Sequence, residues 1–140
     1  MRLLITTPTA VIIDESDVTS VRAQDESGGF GILSGHADFL TVLTISVVSW
    51  KRADDSQHFC AVRRGVLTVR DGGEVAVATR QALAGDDLDQ LEHVVLDQFR
   101  SEAEAEQSAR TEAMKLQTRA MRRIVQYLRP TQAGAPGGDG

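Results

Sequence analysis

Cysteine is almost missing from this chain, since Cys60 is the only one among 140 residues. A single cysteine excludes an internal disulfide and any metal site built from several thiolates. The residues around it, Phe59, Ala61 and Val62, are apolar. We therefore expect Cys60 to be a buried core thiol.

Long apolar runs are lacking as well. No stretch of about 20 apolar residues is present that could cross a bilayer. Pro8 follows too soon for residues 1–5 to form the apolar centre of a signal peptide. With 41% hydrophobic and 25% charged residues, the composition is that of a globular protein. We expect a soluble cytoplasmic protein with one ordinary domain, or one small domain and an appendage.

The chain also lacks an excess of basic residues, since its net charge is -5. A general nucleic-acid surface needs positive charge to displace counterions, so this class of function is excluded. The total hides an asymmetry: residues 86–106 carry eight acidic side chains and one basic, whereas residues 109–129 carry six basic and one acidic. Such runs are usually solvated faces, although they also favour docking of the two segments or binding of an acidic partner.

Residues 2–79 consist of short β-prone runs separated by turn residues, at a spacing typical of a sandwich or a barrel. Each run is rich in β-branched or aromatic residues and ends near glycine, aspartate, serine or proline. The predicted strands cover residues 3–7, 10–13, 18–23, 30–33, 45–50, 58–62, 66–70 and 74–79.

The clearest local pattern is a hairpin whose turn lies at residues 71–73, an aspartate followed by two glycines. Apolar and polar residues alternate on both sides of this turn, which indicates strands with one buried face. We expect Val75 and Val77 to face the core near Phe59 and Trp50, and the glutamate before them to face water.

The composition changes near Gly85, after which alanine, glutamate, glutamine, leucine and arginine dominate. Asp86 or Asp87 is a suitable N-cap for a first helix, whose apolar stripe consists of Leu88, Leu91, Val95 and Phe99. A second helix is predicted after a break near residues 107–108, with apolar positions Ala113, Leu116, Ala120, Ile124 and Tyr127. These patterns predict a β domain over residues 1–85, a helical hairpin over 86–129 and a compositionally disordered tail over 130–140.

Ser34, His36 and Asp38 supply the three residue types of a catalytic triad. Side chains two positions apart cannot place one imidazole between a nucleophile and a carboxylate, and no nucleophile-elbow motif surrounds the serine. We therefore interpret His36 as a hydrogen-bonding residue of a loop.

The other candidate chemistry is also absent. His36, His58 and His93 lack the local pairing of a zinc site. The glycines of residues 28–31 are followed by neither the Gly-Lys-Ser/Thr ending nor the helix of a phosphate loop. No active site, metal site or cofactor site can be assembled from the sequence.

One motif carries a family resemblance, and it consists of Gly31, Ile32, Leu33, Ser34, Gly35, His36 and Ala37. It closely resembles the Gly-Ile-Leu-Pro-Gly-His-Ala signature of the epsilon subunit of F-type ATP synthases. Residues 6–8, 39–43 and 64–69 are similar to further parts of that family, and the resemblance extends over residues 2–129. It implies a two-sheet antiparallel β-sandwich followed by an antiparallel two-helix hairpin, in agreement with the patterns above.

The resemblance also implies a function. Such a subunit is a non-catalytic part of the central rotor that couples ion flow through the ring of c subunits to ATP synthesis, and it holds no cofactor. Its sandwich contacts the gamma subunit and the c ring, at the cytoplasmic face of the bacterial inner membrane. Its helices can extend along gamma towards the alpha and beta catalytic subunits and restrain ATP hydrolysis.

Two sets of residues are assigned by this resemblance. The contact with the c ring and gamma is expected at Gly29, Phe30, Gly31, Ile32, Leu33, Ser34, Gly35, His36 and Asp38, in a loop over residues 28–38. A regulatory basic face, expected to meet acidic segments of the catalytic subunits, consists of Lys115, Arg119, Arg122 and Arg123.

Three departures from the family pattern matter. Ser34 replaces the usual proline, which leaves the turn less restricted, and Gly29 stands where several relatives carry an acidic residue. Residues 88–93 lack the arginine of a first-helix motif through which some relatives bind ATP, so we predict no regulatory ATP binding. Two alternatives stay open: a free-standing β-sandwich module with a helical dimerisation hairpin, and a family member that is chiefly an ATPase inhibitor.

Overall fold

The computed structural model describes residues 1–128, so the predicted disordered tail and Arg129 lie outside the described residues. The strands are β1 (Arg2–Thr7), β2 (Ala10–Glu15), β3 (Val18–Asp25), β4 (Gly28–Leu33), β5 (Phe39–Arg52), β6 (Gln57–Arg70), β7 (Glu74–Ala78) and β8 (Ala82–Gly85). They are followed by α1 (Leu88–Gln90), a π-helical segment (Leu91–Val95) and α2 (Leu96–Leu128). The chain divides into two compact units, of which the first covers Met1–Arg100 and the second begins at Ser101.

The strands form a β-sandwich, as predicted, with the order β2-β1-β7-β6-β5-β3-β4 and with β8 as an additional partner of β6. All of the strand pairs are antiparallel except β1 and β7, which are parallel. This pair departs from the expected all-antiparallel sheets. A tight turn between two neighbouring strands forces them to run antiparallel. Strands β1 and β7 are far apart in the sequence and are not joined by such a turn, so they can pair in parallel. The sheet is not closed, and β2 and β4 lie at its two ends.

The hairpin of β5 and β6 is longer than predicted, because the runs at 58–62 and 66–70 belong to one strand. Cys60 and Val62 are buried at even positions, whereas Leu67 and Val69 are buried at odd positions. Side chains alternate with a period of two, so the buried face can change only at an irregular residue. Gly65, with a φ of 140°, lies at this change next to another residue with positive φ.

Two groups of buried residues hold the first unit together. The main core contains Trp50, Val75 and Val77, as predicted, and the Nε1–H of Trp50 donates to Glu15 Oε2 at 2.7 Å. Phe59 is not part of that core. It packs instead against a second cluster formed by Ala61, Leu91, Val95, Leu96 and Phe99. The reason is parity: odd positions in this part of β6 face away from the main core and are covered by the helical residues.

The start of the helical region agrees with the sequence. Asp87 is the N-cap, and its side chain accepts a hydrogen bond from the Gln90 N–H at 3.2 Å. The π-helical segment widens one turn, and both Leu91 and Val95 face the second cluster. The short strand β8 was missed, because Ala82–Gly85 contains no β-branched or aromatic residue.

The predicted two-helix hairpin is wrong in one respect, since α2 continues without a turn through residues 107–108. Neither residue is glycine or proline, and the neighbouring alanine, glutamate and arginine residues favour a helix. The hydroxyls of Thr111 and Thr118 donate to the carbonyls of Gln107 and Met114, four residues earlier, at 2.9 Å. The acidic and basic segments therefore follow one another in one helix instead of lying side by side.

The buried thiol allows a direct test of the core. Cys60 is fully buried, and desolvation raises the pKa of its thiol to about 12. Since only the thiolate reacts, we expect labelling by a thiol reagent at pH 8 to be about 1,000-fold slower in the native chain than in unfolded chain. Absorbance after addition of a disulfide reagent, with and without guanidinium, measures both rates. Equal rates would contradict the burial of Cys60.

Candidate functional site

The signature residues were expected to form one loop. In the structure they form a strand followed by a turn. Gly28–Leu33 is β4, which pairs with β3 from Ser20↔Leu33 to Asp25↔Gly28. Ile32 is buried in the main core, while Leu33 is 64% exposed. Residues 34–38 then form an exposed turn that leads into β5. The strand fixes the start of this turn, because Ile32 anchors it in the core.

The turn before β4 is fixed by Asp25. Its carboxylate accepts hydrogen bonds from the Ser27 N–H at 2.9 Å and from the hydroxyls of Ser27 and Thr41. These hydrogen bonds, with Ser27 first and Thr41 second, lower the pKa of Asp25. Asp25 therefore stays ionised and connects the β3–β4 turn to β5.

The signature turn is attached to the turn between β6 and β7. The Gly35 N–H donates to the Gly72 carbonyl at 2.7 Å, and the Asp71 N–H donates to Asp38 Oδ1 at 3.1 Å. A Cβ on Gly72 would lie 3.4 Å from the Gly35 Cα, so the two backbones are in close contact. Asp38, predicted as a contact residue, thus also positions the turn. The family signature has proline at the position of Ser34, and a proline would restrict the backbone of the turn. In this chain the two hydrogen bonds restrict it instead.

His36 behaves as a loop hydrogen-bonding residue. Its Nδ1–H donates to the Ala37 carbonyl at 2.7 Å, and its ring centroid lies 5.8 Å from that of Phe39. Phe39 in turn meets Phe30 edge to face at 5.7 Å. Because His36 Nδ1 and the Asp38 carboxylate are bonded to backbone groups, the structure gives no support to a catalytic triad.

An apolar patch lies beyond this turn, and the sequence reasoning missed it. It consists of Leu40, Val42 and Val66, which are 66%, 56% and 40% exposed. Val42 and Val66 are cross-strand partners, and Leu40 lies on the same face of β5, two residues nearer the turn. The signal was present in residues 39–43, where apolar residues occupy both faces of a strand although only one face can point into the main core.

The predicted basic face lies on α2. Lys115, Arg119 and Arg122 line a shallow groove of about 340 Å³ together with Thr111, Met114 and Thr118, and Arg123 is exposed nearby on the same helix. The Lys115 Nζ lies 3.6 Å from Glu112 Oε1. No side chain of residues 101–125 is buried.

Apolar residues also occupy α2 and are exposed: Met114, Leu116, Met121, Ile124 and Val125. Ile124 lies opposite Lys115 on the helix, whereas Met114, Met121 and Val125 form a stripe along one flank of the basic face and Leu116 lies on its other flank. The side chain of Tyr127, another apolar position predicted for this helix, lies outside the described part. In the unit that begins at Ser101, α2 is thus amphipathic, and neither side of residues 101–125 is buried.

Two further properties limit the chemistry. Among residues 1–128, no group of three histidine, cysteine, aspartate or glutamate side chains could hold a metal ion. None of the helices in that range is long and apolar enough to cross a membrane.

Comparison with known proteins identifies the relatives of this chain. The family model for the ATP synthase delta/epsilon chain β-sandwich domain matches residues 1–85. The "ATP synthase epsilon chain 2" of Paraburkholderia xenovorans is 40% identical over 135 residues, covering 96% of this chain and 97% of that protein. The protein of the same name from Cereibacter sphaeroides is 40% identical over 139 residues, covering 99% and 92%.

A solved structure has a similar fold. A chain in the Euglena gracilis mitochondrial ATP synthase, determined as the OSCP/F1/c-ring assembly in rotational state 1, aligns with a TM-score of 0.57 at 21% identity. The alignment covers 78% of this chain and 62% of that chain. At this identity the likeness concerns the fold alone.

Proposed function

Because this chain belongs to the ATP synthase delta/epsilon family and is an epsilon-type rotor subunit of an F-type ATP synthase, we propose that it is a non-catalytic coupling element between the gamma subunit and the c ring. Residues 1–85 form the binding domain, residues 86–129 form the regulatory segment, and residues 130–140 take part in neither. The subunit associates peripherally with the cytoplasmic face of the bacterial inner membrane through the complex.

The observation that carries this proposal is the apolar patch of Leu40, Val42 and Val66 beside a turn that is held in place. Exposed apolar side chains on a sheet are typical of a protein interface. The turn at residues 34–38 is bonded to the β6–β7 turn, so it can present His36 without paying a large ordering entropy on binding. In our proposal the turn meets the polar loops of the c ring, and the patch meets gamma.

The regulatory part of the proposal rests on α2. Lys115, Arg119, Arg122 and Arg123 are exposed and suited to acidic segments of the alpha and beta subunits. The exposed apolar residues of the same helix supply a second contact, for which gamma is the proposed partner. Bound in this way, the helix restrains ATP hydrolysis.

A matched pair of substitutions tests the binding role. Val42→Asp places a charge in the patch, and Val11→Asp places the same charge at an equally exposed valine of β2, away from it. Loss of a central apolar contact costs about 2 kcal/mol or more, so we expect Val42→Asp to weaken binding of the full chain to gamma and the c ring about 30-fold. Val11→Asp should bind like the unchanged chain.

Binding is measured by pull-down and by titration of gamma with the c ring. Thermal unfolding of each variant establishes that the fold is intact. If Val42→Asp and Val11→Asp bind equally well, the patch is not the gamma contact. If the unchanged chain binds neither partner, the proposed coupling between gamma and the c ring is wrong.

A further inference from the structure

One line of side chains along α2 carries no charge over about five helical turns. Its members follow one another at spacings of three and four residues, and all of them are exposed: Gln107, Thr111, Met114, Thr118, Met121 and Val125. Spacings that alternate in this way keep a line of residues on one side of a helix, as in the contact line of two paired helices. We call these six residues the seam.

The polar members of the seam can be buried at little cost. The hydroxyls of Thr111 and Thr118 already donate to the carbonyls of Gln107 and Met114 within the helix, at 2.9 Å. A hydroxyl with its own acceptor leaves no unsatisfied donor when another chain covers it. The seam is therefore suited to a helix partner although only half of its residues are apolar.

The charges of α2 change sign at the middle of the seam, which is Met114. Residues 101–113 contain four acidic side chains and one basic, whereas residues 115–125 contain four basic side chains and no acidic one. A second α2 in the same direction would place like charges together. In the opposite direction, each acidic half would lie beside a basic half.

We propose that the free chain pairs with a second copy of itself through the seam, with the two α2 helices antiparallel and Met114 at the centre. This arrangement places Thr111 of one copy beside Thr118 of the other, and Gln107 beside Met121. The same chain thus supplies both the complementary charges and the complementary seam, which is the reason for choosing a second copy as the occupant.

Charges beside the seam fit this arrangement. Glu104 and Arg122 are exposed and 18 positions apart, which is five full turns, so they lie on the same side of α2 but about 27 Å from each other. They cannot meet within one helix, whereas reversal of a second helix brings Glu104 of each copy near Arg122 of the other. Lys115 approaches its own counterpart near the centre, and Glu112, 3.6 Å from it on the same helix, offsets this repulsion.

The pairing concerns the chain before it joins a complex, so it does not depend on the proposed coupling role. It covers Lys115 and Arg122, and a paired chain therefore cannot use them to bind the catalytic subunits. The two copies must separate before α2 can restrain ATP hydrolysis.

Sedimentation of the free full chain over a range of concentrations tests the pairing. A two-helix contact of this length is small for a stable interface, so we expect a dimer with a dissociation constant of about 1 to 100 µM. Met121→Glu places a charge in the seam, and we expect it to weaken the dimer at least 10-fold. Leu116→Glu is the matched control, because Leu116 and Met121 are 60% and 61% exposed and only Met121 belongs to the seam. It should change the dissociation constant no more than about twofold.

A charge exchange tests the antiparallel direction. Glu104→Lys alone and Arg122→Glu alone should each weaken the dimer about 10-fold, because each puts two like-charge pairs in place of two opposite ones. The double variant with both changes should regain the affinity of the unchanged chain. In a parallel dimer neither residue meets the other, so the double variant would show no rescue.

Circular dichroism of each variant establishes that α2 is still helical. A chain that stays monomeric up to about 1 mM overturns the proposal, and so does a dimer that Met121→Glu and Leu116→Glu weaken equally. A dimer in which the charge exchange restores nothing overturns the antiparallel arrangement. None of these outcomes bears on binding of the Val42→Asp and Val11→Asp chains to gamma, so the coupling role is tested separately.

Discussion

Replacing Gly65 by alanine is expected to lower the free energy of unfolding by about 3 to 5 kcal/mol, the sum of backbone strain and overpacking. The added Cβ would lie 2.4 Å from the Ala78 carbonyl oxygen and 3.1 Å from the Thr79 Cα. Both contacts are with backbone, so no side-chain rotation relieves them. The φ of 140° adds strain, because residues with a Cβ rarely adopt it.

Gly29→Ala is the matched control for this substitution. It adds the same methyl group at a strand glycine, but an added Cβ there meets nothing closer than 3.9 Å. We expect its free energy of unfolding to lie within about 0.5 kcal/mol of the unchanged chain. Urea denaturation followed by circular dichroism measures both variants. A Gly65→Ala chain that unfolds at the same urea concentration as the control would show that the β6–β7 approach is not tight.

The contrast between these glycines shows what sequence could and could not predict. The hairpin of β6 and β7 follows from local alternation and a Gly-Gly turn, so Val75 and Val77 could be placed in the core from sequence alone. The requirement for Gly65 arises from its approach to Ala78 and Thr79 across the sheet. The sequence does not state which strands will be neighbours, and so it could not distinguish a required glycine from a tolerated one.

The helical region shows a similar division. The cap at Asp87 and three of the predicted stripe residues, Leu91, Val95 and Phe99, depend on near neighbours in the sequence and agree with the structure. The fourth predicted stripe residue, Leu88, is exposed and lies outside the second cluster. The turn expected near residues 107–108 depended on a drop in apolar content, which equally suits a solvated part of a continuous helix. Polarity indicates exposure, whereas a turn requires a residue that breaks the helix.

In the candidate site, too, features that are local in the sequence could be predicted, whereas contacts between distant residues could not. The signature motif is contiguous, so residues 31–37 could be recognised directly. The partner that holds Asp38 is the amide of Asp71, 33 positions later. The patch of Leu40, Val42 and Val66 also joins two strands that only the folded sheet brings together. Contacts of this kind could not be located by spacing.

The second large effect is expected from the basic face of α2. Arg119→Glu together with Arg122→Glu reverses two exposed charges, and each pair with an acidic partner contributes up to about 1 kcal/mol. Losing two such attractions weakens the inhibitory contact by about 2 kcal/mol, which corresponds to about 30-fold in the equilibrium constant of that contact. We expect the rate of ATP hydrolysis by the reconstituted complex to rise to that of a complex whose subunit ends at residue 85.

Arg110→Glu is the control for this prediction, because it reverses a charge of the same helix outside the groove that Arg119 and Arg122 line. It should leave the hydrolysis rate unchanged. Exposed charge pairs are screened by salt, so inhibition by the unchanged chain should weaken between about 50 mM and 500 mM salt, while the double variant shows no such dependence. If the double variant inhibits as strongly as the unchanged chain at both salt concentrations, the basic face does not contact the catalytic subunits. Any inhibition would then have to come from the exposed apolar residues of α2, among them Met114, Met121 and Val125.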